Sequence, residues 1–508
     1  MKPADGLTTS IWYDEMIVPP YPRFPAKAIS CDVCIVGAGI AGLTAAYLLA
    51  NEGKSVVVLD EGAIGGGQTG RTSAHLASAI DDRFIEIEKL HGVEGSRLAH
   101  ESHAAAIDKI EQIARKEKIK CDFHRVNGLL FDGPGESKNL LHEELAAAKR
   151  AGFSDVELLS DYSIAGWEHV PCLRFGGQAV FHPLKYLVGL AAAVIKLKGC
   201  IYTGSRVTDV QGADAKKKSR AKVTHNGGGS VEAKAIIVAT NTPAPINDWM
   251  GIYLKQSSYR SYVIAMKVRR GSVEDALYWD TADPYHYVRL EDDVLLIGGE
   301  DHKTGQYPAN TDPFVNLESW AKEKFPMVGK VVARWSGQVQ EPADYLGYAG
   351  KAPTTGDNVY VITGDSGMGL THGTLGAMLI HDLILKRKNP WTELYDPSRL
   401  KIDTDLVMEN ANTITQYAQL LSGGDVADAA AIAPGEGAVI RRGMSKIAVY
   451  KYEDGKTVER SAICPHLKCV VHWNPTEKSW DCPCHGSRFS CDGKVLMGPA
   501  VDDLPAVQ

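Results

Sequence analysis

Apolar positions follow three rhythms along this chain, and each predicts a different element. Val33 to Val36 form an unbroken apolar run, which reads as a buried strand. Ile40 to Asn51 follow as a helix rich in small residues, ended by Gly53. Ser55 to Leu59 make a second strand, closed by Asp60. Much later, Asn358 to Ile384 repeat the order of strand, glycine turn and helix. The alternating stretches "SYVIAMKV" and "YHYVRLEDDVLLIGG" fit an antiparallel sheet. Asp403 to Leu421 predict a helix with Leu406, Val407, Ile414, Tyr417 and Leu421 roughly on one face. No apolar run reaches the length of a membrane span. The opening "MKPADGLTTSIWYDE" lacks a basic region followed by an apolar one, so a cytoplasmic location is expected.

A chain of 508 residues exceeds one core, so two or three domains are expected. Net charge is −7, with no electrostatic case for nucleic acid or an anionic membrane. The ten cysteines are uneven: Cys31, Cys34, Cys121, Cys172 and Cys200 come early, and five more lie between Cys464 and Cys491. That gap marks the tail as a separate module. Cys31 and Cys34 have the spacing of a redox pair, but both fall in the first strand. Residues three apart on a strand face opposite ways, so they read as separate buried small residues.

Gly37, Gly39 and Gly42 form G-x-G-x-x-G between the first strand and its helix. This spacing allows a tight turn, a close approach of pyrophosphate to the helix N-terminus, and close helix–strand packing. Asp60 stands where a carboxylate grips ribose hydroxyls. "GGGQTGRTSAHL" (Gly65 to Leu76), "SRVTDV", "AKAIIVATNTPAP", "RWSGQVQEPADYLGYAG" and "NVYVITGDSGMGLTHGTLGAMLIHDLI" resemble the FAD motifs of the D-amino-acid-oxidase-like (glycine oxidase, sarcosine oxidase) flavoproteins. The resemblance covers about residues 10 to 395. It implies FAD contacts at Gly37, Gly39, Ile40, Ala41, Gly42, Asp60 and Glu61. It implies further contacts at Gly70, Arg71, Thr72, Ser73, Val207 and Thr240. The last set is Gly364, Gly367, Met368, Gly369, Leu370 and Thr371, where a helix N-terminus would face the flavin. Gly373 and Gly376 would let that helix pack closely. The implied fold is α/β: a Rossmann-like FAD half (30–85, 175–250, 330–395) with an inserted α+β substrate half on an antiparallel sheet (86–174, 251–329).

In the tail, Cys464 and His466 form C-x-H, and Cys482 and His485 form C-x-x-H. Two thiolates and two imidazoles could hold zinc. Mixed Cys/His halves also match a Rieske [2Fe–2S] cluster, in which one iron takes two thiolates and the other two imidazoles. "CPCHGS" resembles the second cluster loop of the respiratory Rieske proteins. Residues 425–508 therefore look like a small all-β Rieske domain, after a linker at 396–424. The resemblance implies a Cys469–Cys484 disulfide, a cluster hydrogen bond from Ser487, and a covering loop at Gly498 and Pro499. It also implies a lower potential than the respiratory proteins. They carry a tyrosine, bonded to a ligand sulfur, where this chain has Phe489. Cys491 and His472 have no assigned role. A disulfide in the cytoplasm must be shielded or hard to reduce. The order flavoprotein then Rieske domain resembles a bacterial family of FAD-dependent oxidoreductases.

These parts imply oxidation of a C–N bond in a small amine or amino acid. Electrons would leave singly through the cluster to an external one-electron acceptor. Tyr287 and Arg289, together with Tyr285, share a strand face and are substrate candidates; Arg260 is a possible carboxylate clamp, and His75 a possible flavin neighbour. A reductase driven by NAD(P)H or a partner protein is the alternative, although no second glycine fingerprint opens a helix. A non-enzymatic redox sensor is a third reading. An oxygenase would need a mononuclear iron site, and no fitting His/His/carboxylate arrangement is found.

Overall fold

The computed structural model describes every residue except 1–5, 15, 136, 138, 165–166, 215, 217, 244–251, 309–310, 402–403 and 508. Five parallel strands form the first sheet, in the order Val359–Thr363, Ser230–Asn241, Ala28–Val36, Val56–Leu59, Cys200–Tyr202. An antiparallel strand, Tyr348–Lys351, closes one edge. Val33 to Val36 are buried on both faces, as an unbroken apolar run requires. The helices Ile40–Asn51 and Gly369–Ile384 pack against each other through Gly373, where an added Cβ would lie 3.2 Å from the Ala41 Cβ. At Gly376 the corresponding distance to Ala349 Cβ is 3.2 Å.

Cys31 and Cys34 are both buried, but they pack into one apolar cluster rather than on opposite faces. The cause is local. The amides of Asp32 and Val33 both donate to Ser55 O, at 3.0 and 3.1 Å, and this irregularity breaks the strict alternation.

The second sheet runs Val331–Pro342, Gln256–Lys267, Val294–Lys303, His286–Glu291, Ala276–Asp280, His124–Phe131, Trp167–Val180, His75–Leu76. Its pairs are antiparallel except Ala276–Asp280 with His124–Phe131. The expected division needs correction here. Val331–Pro342 was assigned to the flavin half but is an edge strand of this sheet. The helical stretch Arg83–Lys116, broken at Gly92, was assigned to the substrate half. It shares the core of the flavin helices instead, and His103 Nδ1 lies 2.8 Å from Thr371 Oγ1.

The tail holds two small antiparallel sheets around a core that includes Cys464, Cys469, Cys482 and Cys484. The joining helix spans Thr404–Ala418, followed by a turn at Gln419–Leu421. Its predicted apolar face packs only in part: Ile414 is 70% exposed and Leu421 83%, while Tyr417 packs against the core of the tail module. Its polar side does the rest of the docking. Glu409 pairs with Lys303 at 2.6 Å and accepts from Tyr259 at 3.2 Å. Tyr417 donates to Leu467 O at 2.8 Å, in the first cluster loop. The helix therefore lies on the second sheet and touches the tail module. Ile402, Asp403 and the Val407 side chain fall outside the described residues.

Candidate functional site

A long cavity runs from the first glycine turn to the second sheet. Gly37 has φ +107°, and an added Cβ would lie 2.3 Å from Ala239 O. At Gly42 it would lie 1.9 Å from Gly37 O, so this glycine serves packing behind the cavity. Both flavin-side helices start without a side-chain cap, at Gly39 and at Met368. Uncapped N-termini lining a cavity are suited to phosphate and to a ring that gains negative charge.

Of the residues predicted to hold FAD, Gly37, Gly39, Ile40, Ala41, Asp60 and Glu61 line the first end of the cavity. Arg71, Thr72, Ser73, Val207 and Thr240 also line it, Val207 next to Arg206, which pairs with Glu61. Gly367, Met368, Gly369 and Leu370 line the far end. Gly70, Gly364 and Thr371 stand behind the wall with Gly42. The Thr371 hydroxyl, for example, donates to Met368 O at 3.2 Å. Asp60 accepts from Ala38 N at 2.6 Å and Gly62 N at 2.7 Å, and burial pushes its carboxyl up to about 6.

Two substrate candidates are placed elsewhere. The Arg260 guanidinium, fully buried, reaches Ser336 and the carboxylate of Glu477 in the tail module, at 3.3 Å. It clamps a carboxylate, but one belonging to the chain itself. Arg289 donates to Ala74 O at 3.0 Å and Phe181 O at 3.3 Å, and pairs with Glu291. Neither guanidinium lines the cavity. Tyr285, Tyr287 and His75 do. Tyr287 Oη lies 2.8 Å from Ser261 Oγ, and its ring meets His75 edge-on. Burial and the charge of Arg289 push His75 down to about 3, so it stays neutral.

The floor of the cavity holds a group the sequence reading missed. Asp81, Asp82, Asp301, Glu341 and Asp365 gather there, and burial raises each carboxyl, to about 6, 8, 7 and 6 for the four aspartates in turn. Burial outweighs the opposing charge of Arg83 beside Asp82. The Ser366 hydroxyl lies 2.8 Å from Asp82 Oδ2 and 2.9 Å from Glu341 Oε2. One hydroxyl has one hydrogen to give. Tyr285 donates to Asp81 Oδ2 at 3.2 Å. Asp81 and Asp365 face the cavity directly. The adjacent acids in "AIDDRF" were the only linear hint.

In the tail, Cys464 N donates to Cys469 O and Cys482 N to Ser487 O, each at 2.8 Å, closing the two loops. The His466 and His485 rings are 5.1 Å apart and perpendicular. Burial pushes them down to about 4 and 3, which keeps both imidazoles neutral, as ligation requires. His466 Nδ1 is buried and has no hydrogen-bond partner within the protein. Two buried cysteines complete the set, and their shared hydrogen bond lowers the Cys464 thiol. This donor set fits two thiolate and two imidazole ligands. Cys469 and Cys484 form the disulfide, and both are buried. The Ser487 hydroxyl lies beside Cys464, lowering its thiol, and accepts from Ala500 N at 3.0 Å.

The two sites share a wall. Met497, Gly498 and Ala500, from the expected covering loop, line the cavity of the first domain. Gln338, also on the cavity wall, donates to Gly486 O at 3.0 Å. The Tyr253 ring lies 5.0 Å from His466 and 5.9 Å from His485. No helix among the described residues is long and apolar enough to cross a membrane.

Comparison with known proteins agrees with this division. Residues 32–383 match the family of FAD dependent oxidoreductases, and residues 424–508 match the Rieske [2Fe-2S] domain. YhfW of Bacillus subtilis, named for a Rieske 2Fe-2S iron-sulfur centre, is 30% identical over 96% of this chain and 95% of its own. Gamma-glutamylputrescine oxidoreductase of Escherichia coli is 28% identical over 70% of this chain and 84% of its own. Glycine oxidase from Geobacillus kaustophilus superposes with a TM-score of 0.60 at 17% identity, covering 73% of this chain and all of that structure. The chain thus belongs to the FAD-dependent oxidoreductases of the D-amino-acid-oxidase type and carries a C-terminal Rieske [2Fe–2S] domain.

Proposed function

We propose that the protein is an amine dehydrogenase: it oxidises a small cationic amine at the cavity floor and releases electrons singly through the Rieske domain to an external acceptor. The observation that carries this reading is the group of buried carboxylates beside the cavity. An amino-acid substrate calls for a guanidinium to hold its carboxylate. Arg260 and Arg289 are occupied elsewhere, the cavity-lining Arg71 and Arg206 are paired with Glu477 and Glu61, and the floor adds the carboxyls of Asp81 and Asp365. Asp81 and Asp365, which line the cavity, would hold an ammonium group. An amine must be neutral before its C–N bond can be oxidised. Carboxyls raised to about 6 are better proton acceptors than exposed ones, so Asp81 Oδ2 or Asp365 would take that proton. Tyr285, donating to Asp81, fixes its direction. The neutral His75 and the Tyr287 ring would shape the apolar side.

When bound, FAD supplies a two-electron acceptor and the [2Fe–2S] cluster a one-electron carrier. The chain's contribution is to hold these sites against one wall, through Ala500, Gln338 and Tyr253. The relative named for gamma-glutamylputrescine, a substrate that carries an amine, is in keeping with this reading. The test is anaerobic. Diamines and monoamines, amino acids and NAD(P)H are each mixed with the holoprotein while flavin absorbance and the cluster's paramagnetic signal are followed. Bleaching by amines with the cluster signal rising supports the reading. Bleaching by NAD(P)H alone replaces it with an electron-transfer reductase. No reduction by any of them leaves a redox sensor.

A further inference from the structure

Glu477 belongs to the Rieske domain, yet its carboxylate is wholly buried in the flavoprotein body. Its Oε2 accepts from the amides of Leu7 at 2.7 Å and Thr8 at 3.0 Å. Its Oε1 meets the guanidinium groups of Arg71 and Arg260, each at 3.3 Å, and the hydroxyls of Thr8 and Ser336. The turn that presents it is fixed from within the module, since Asn474 Oδ1 accepts from Thr476 N at 3.1 Å and Glu477 N at 3.0 Å.

Arg71 sits inside the loop that lines the flavin cavity. Its guanidinium also donates to Ser336 O at 2.6 Å and Thr8 O at 2.8 Å, while Trp335 donates to Arg71 O at 2.8 Å. The next residue, Thr72, lines the cavity and is held by Trp12 at 2.7 Å. Two buried guanidiniums placed together repel, and burial already lowers Arg71 from its ordinary value. A carboxylate between them removes that conflict. No element of the flavoprotein domain supplies Glu477; the Rieske domain brings it.

We propose that Glu477 is a positioning residue shared by both redox sites, docking the Rieske domain and setting the flavin loop through Arg71 in one contact. Flavin retention then depends on a residue of the iron–sulfur domain, and by linkage a well-docked domain holds FAD more tightly. This rests on the family assignment and not on the amine reading.

The test uses full-length Glu477→Gln, Glu477→Asp and Thr476→Ala. The FAD dissociation constant is read from recovery of flavin fluorescence. Module docking is read as the rate of proteolytic cleavage in the 396–424 linker, and the cluster as its paramagnetic spectrum. For Glu477→Gln, FAD should bind at least 10-fold more weakly and linker cleavage should quicken, with an unchanged cluster spectrum. Glu477→Asp keeps the charge but withdraws it by one methylene, so it should show a smaller loss of the same kind. Thr476→Ala removes a neighbouring module–body contact, to Tyr307 at 2.9 Å, without touching Arg71, and should bind FAD as the parent does. Unchanged FAD affinity in both Glu477 variants overturns the proposal. So does an equal loss in Thr476→Ala, which would make the effect one of docking in general. If Glu477→Gln fails to fold, Glu477→Asp alone decides.

Discussion

The iron–sulfur site and the flavin cavity are built in opposite ways. All four candidate metal ligands and the disulfide lie between Cys464 and His485, in two loops closed by their own backbone bonds. The flavin cavity gathers residues from Val36 to Val501, including the loop of the other domain. A local site needs correct spacing; a gathered site needs the whole fold. The two should therefore fail differently when broken.

The largest effect is expected at the local site. Cys482→Ser removes a ligand, and the neighbouring sulfurs of Cys469 and Cys484 are held in the disulfide. The cluster's absorbance and paramagnetic signal should vanish, and turnover with a one-electron acceptor should fall at least about 100-fold. Reduction of flavin by substrate should continue. Retention of a cluster signal would mean the ligand set is misread.

The converse break is Gly37→Ala. Its Cβ would enter a φ of +107° and lie 2.3 Å from Ala239 O, a contact between two central strands. Strain of about 3 kcal/mol is expected, enough to weaken FAD by roughly 100-fold. The cluster spectrum, set by distant loops, should not change. Equilibrium dialysis against FAD measures the first, and low-temperature paramagnetic resonance the second.

The cavity floor sharpens the contrast through pH. Burial raises the Asp365 carboxyl to about 6, above its ordinary 3.8. A raised carboxyl favours folding most at low pH, and that contribution is lost as pH rises from about 4 through 6. Without substrate, Asp365→Asn should therefore flatten the fall in melting temperature over that window. A cation needs the charged form. KM for an amine should rise as pH drops from 8 to 6, through the window of Asp82, Asp301, Asp365 and Asp81. In Asp365→Asn, KM should rise about 10-fold at pH 8, the value of one charge-assisted hydrogen bond. An unchanged KM would remove Asp365 from substrate binding.

What could be read from the sequence follows the same division. Contiguous signals gave the glycine turn, its flanking elements and the cluster loops, because local backbone chemistry is enough to specify them. The sheet assignment of Val331–Pro342 was missed because its inward side chains, Ser336, Gln338 and Gln340, are polar. Ser336 and Gln338 meet the other domain, and Gln340 meets Ser258 and Thr242, so none faces an apolar core. Arg260 was read as a substrate clamp because a buried arginine announces a carboxylate without saying whose. Glu477, in "NPTEKS", looks like an ordinary exposed turn. Nothing in the linear pattern shows that its partners lie 406 and 217 residues away.

The smallest effect concerns a single hydroxyl beside the cluster. Phe489 is fully buried and packs in the same apolar group as Cys464 and Cys482. It pairs across the strands with Trp480. A ligand sulfur gains negative charge when the cluster is reduced, so an added donor near it favours the reduced form. Phe489→Tyr supplies that donor, with no other change in ring shape. Its cost is burial of a hydroxyl, which stays near 1 kcal/mol if the bond to sulfur forms and rises if it does not. The reduction potential should rise by tens of millivolts with little loss of melting temperature. FAD affinity should be untouched, since this ring does not line the cavity. A redox titration of the cluster signal reads the shift. If the potential stays put while the protein is destabilised, the new hydroxyl is buried without a partner and the ring at 489 does not face a ligand sulfur.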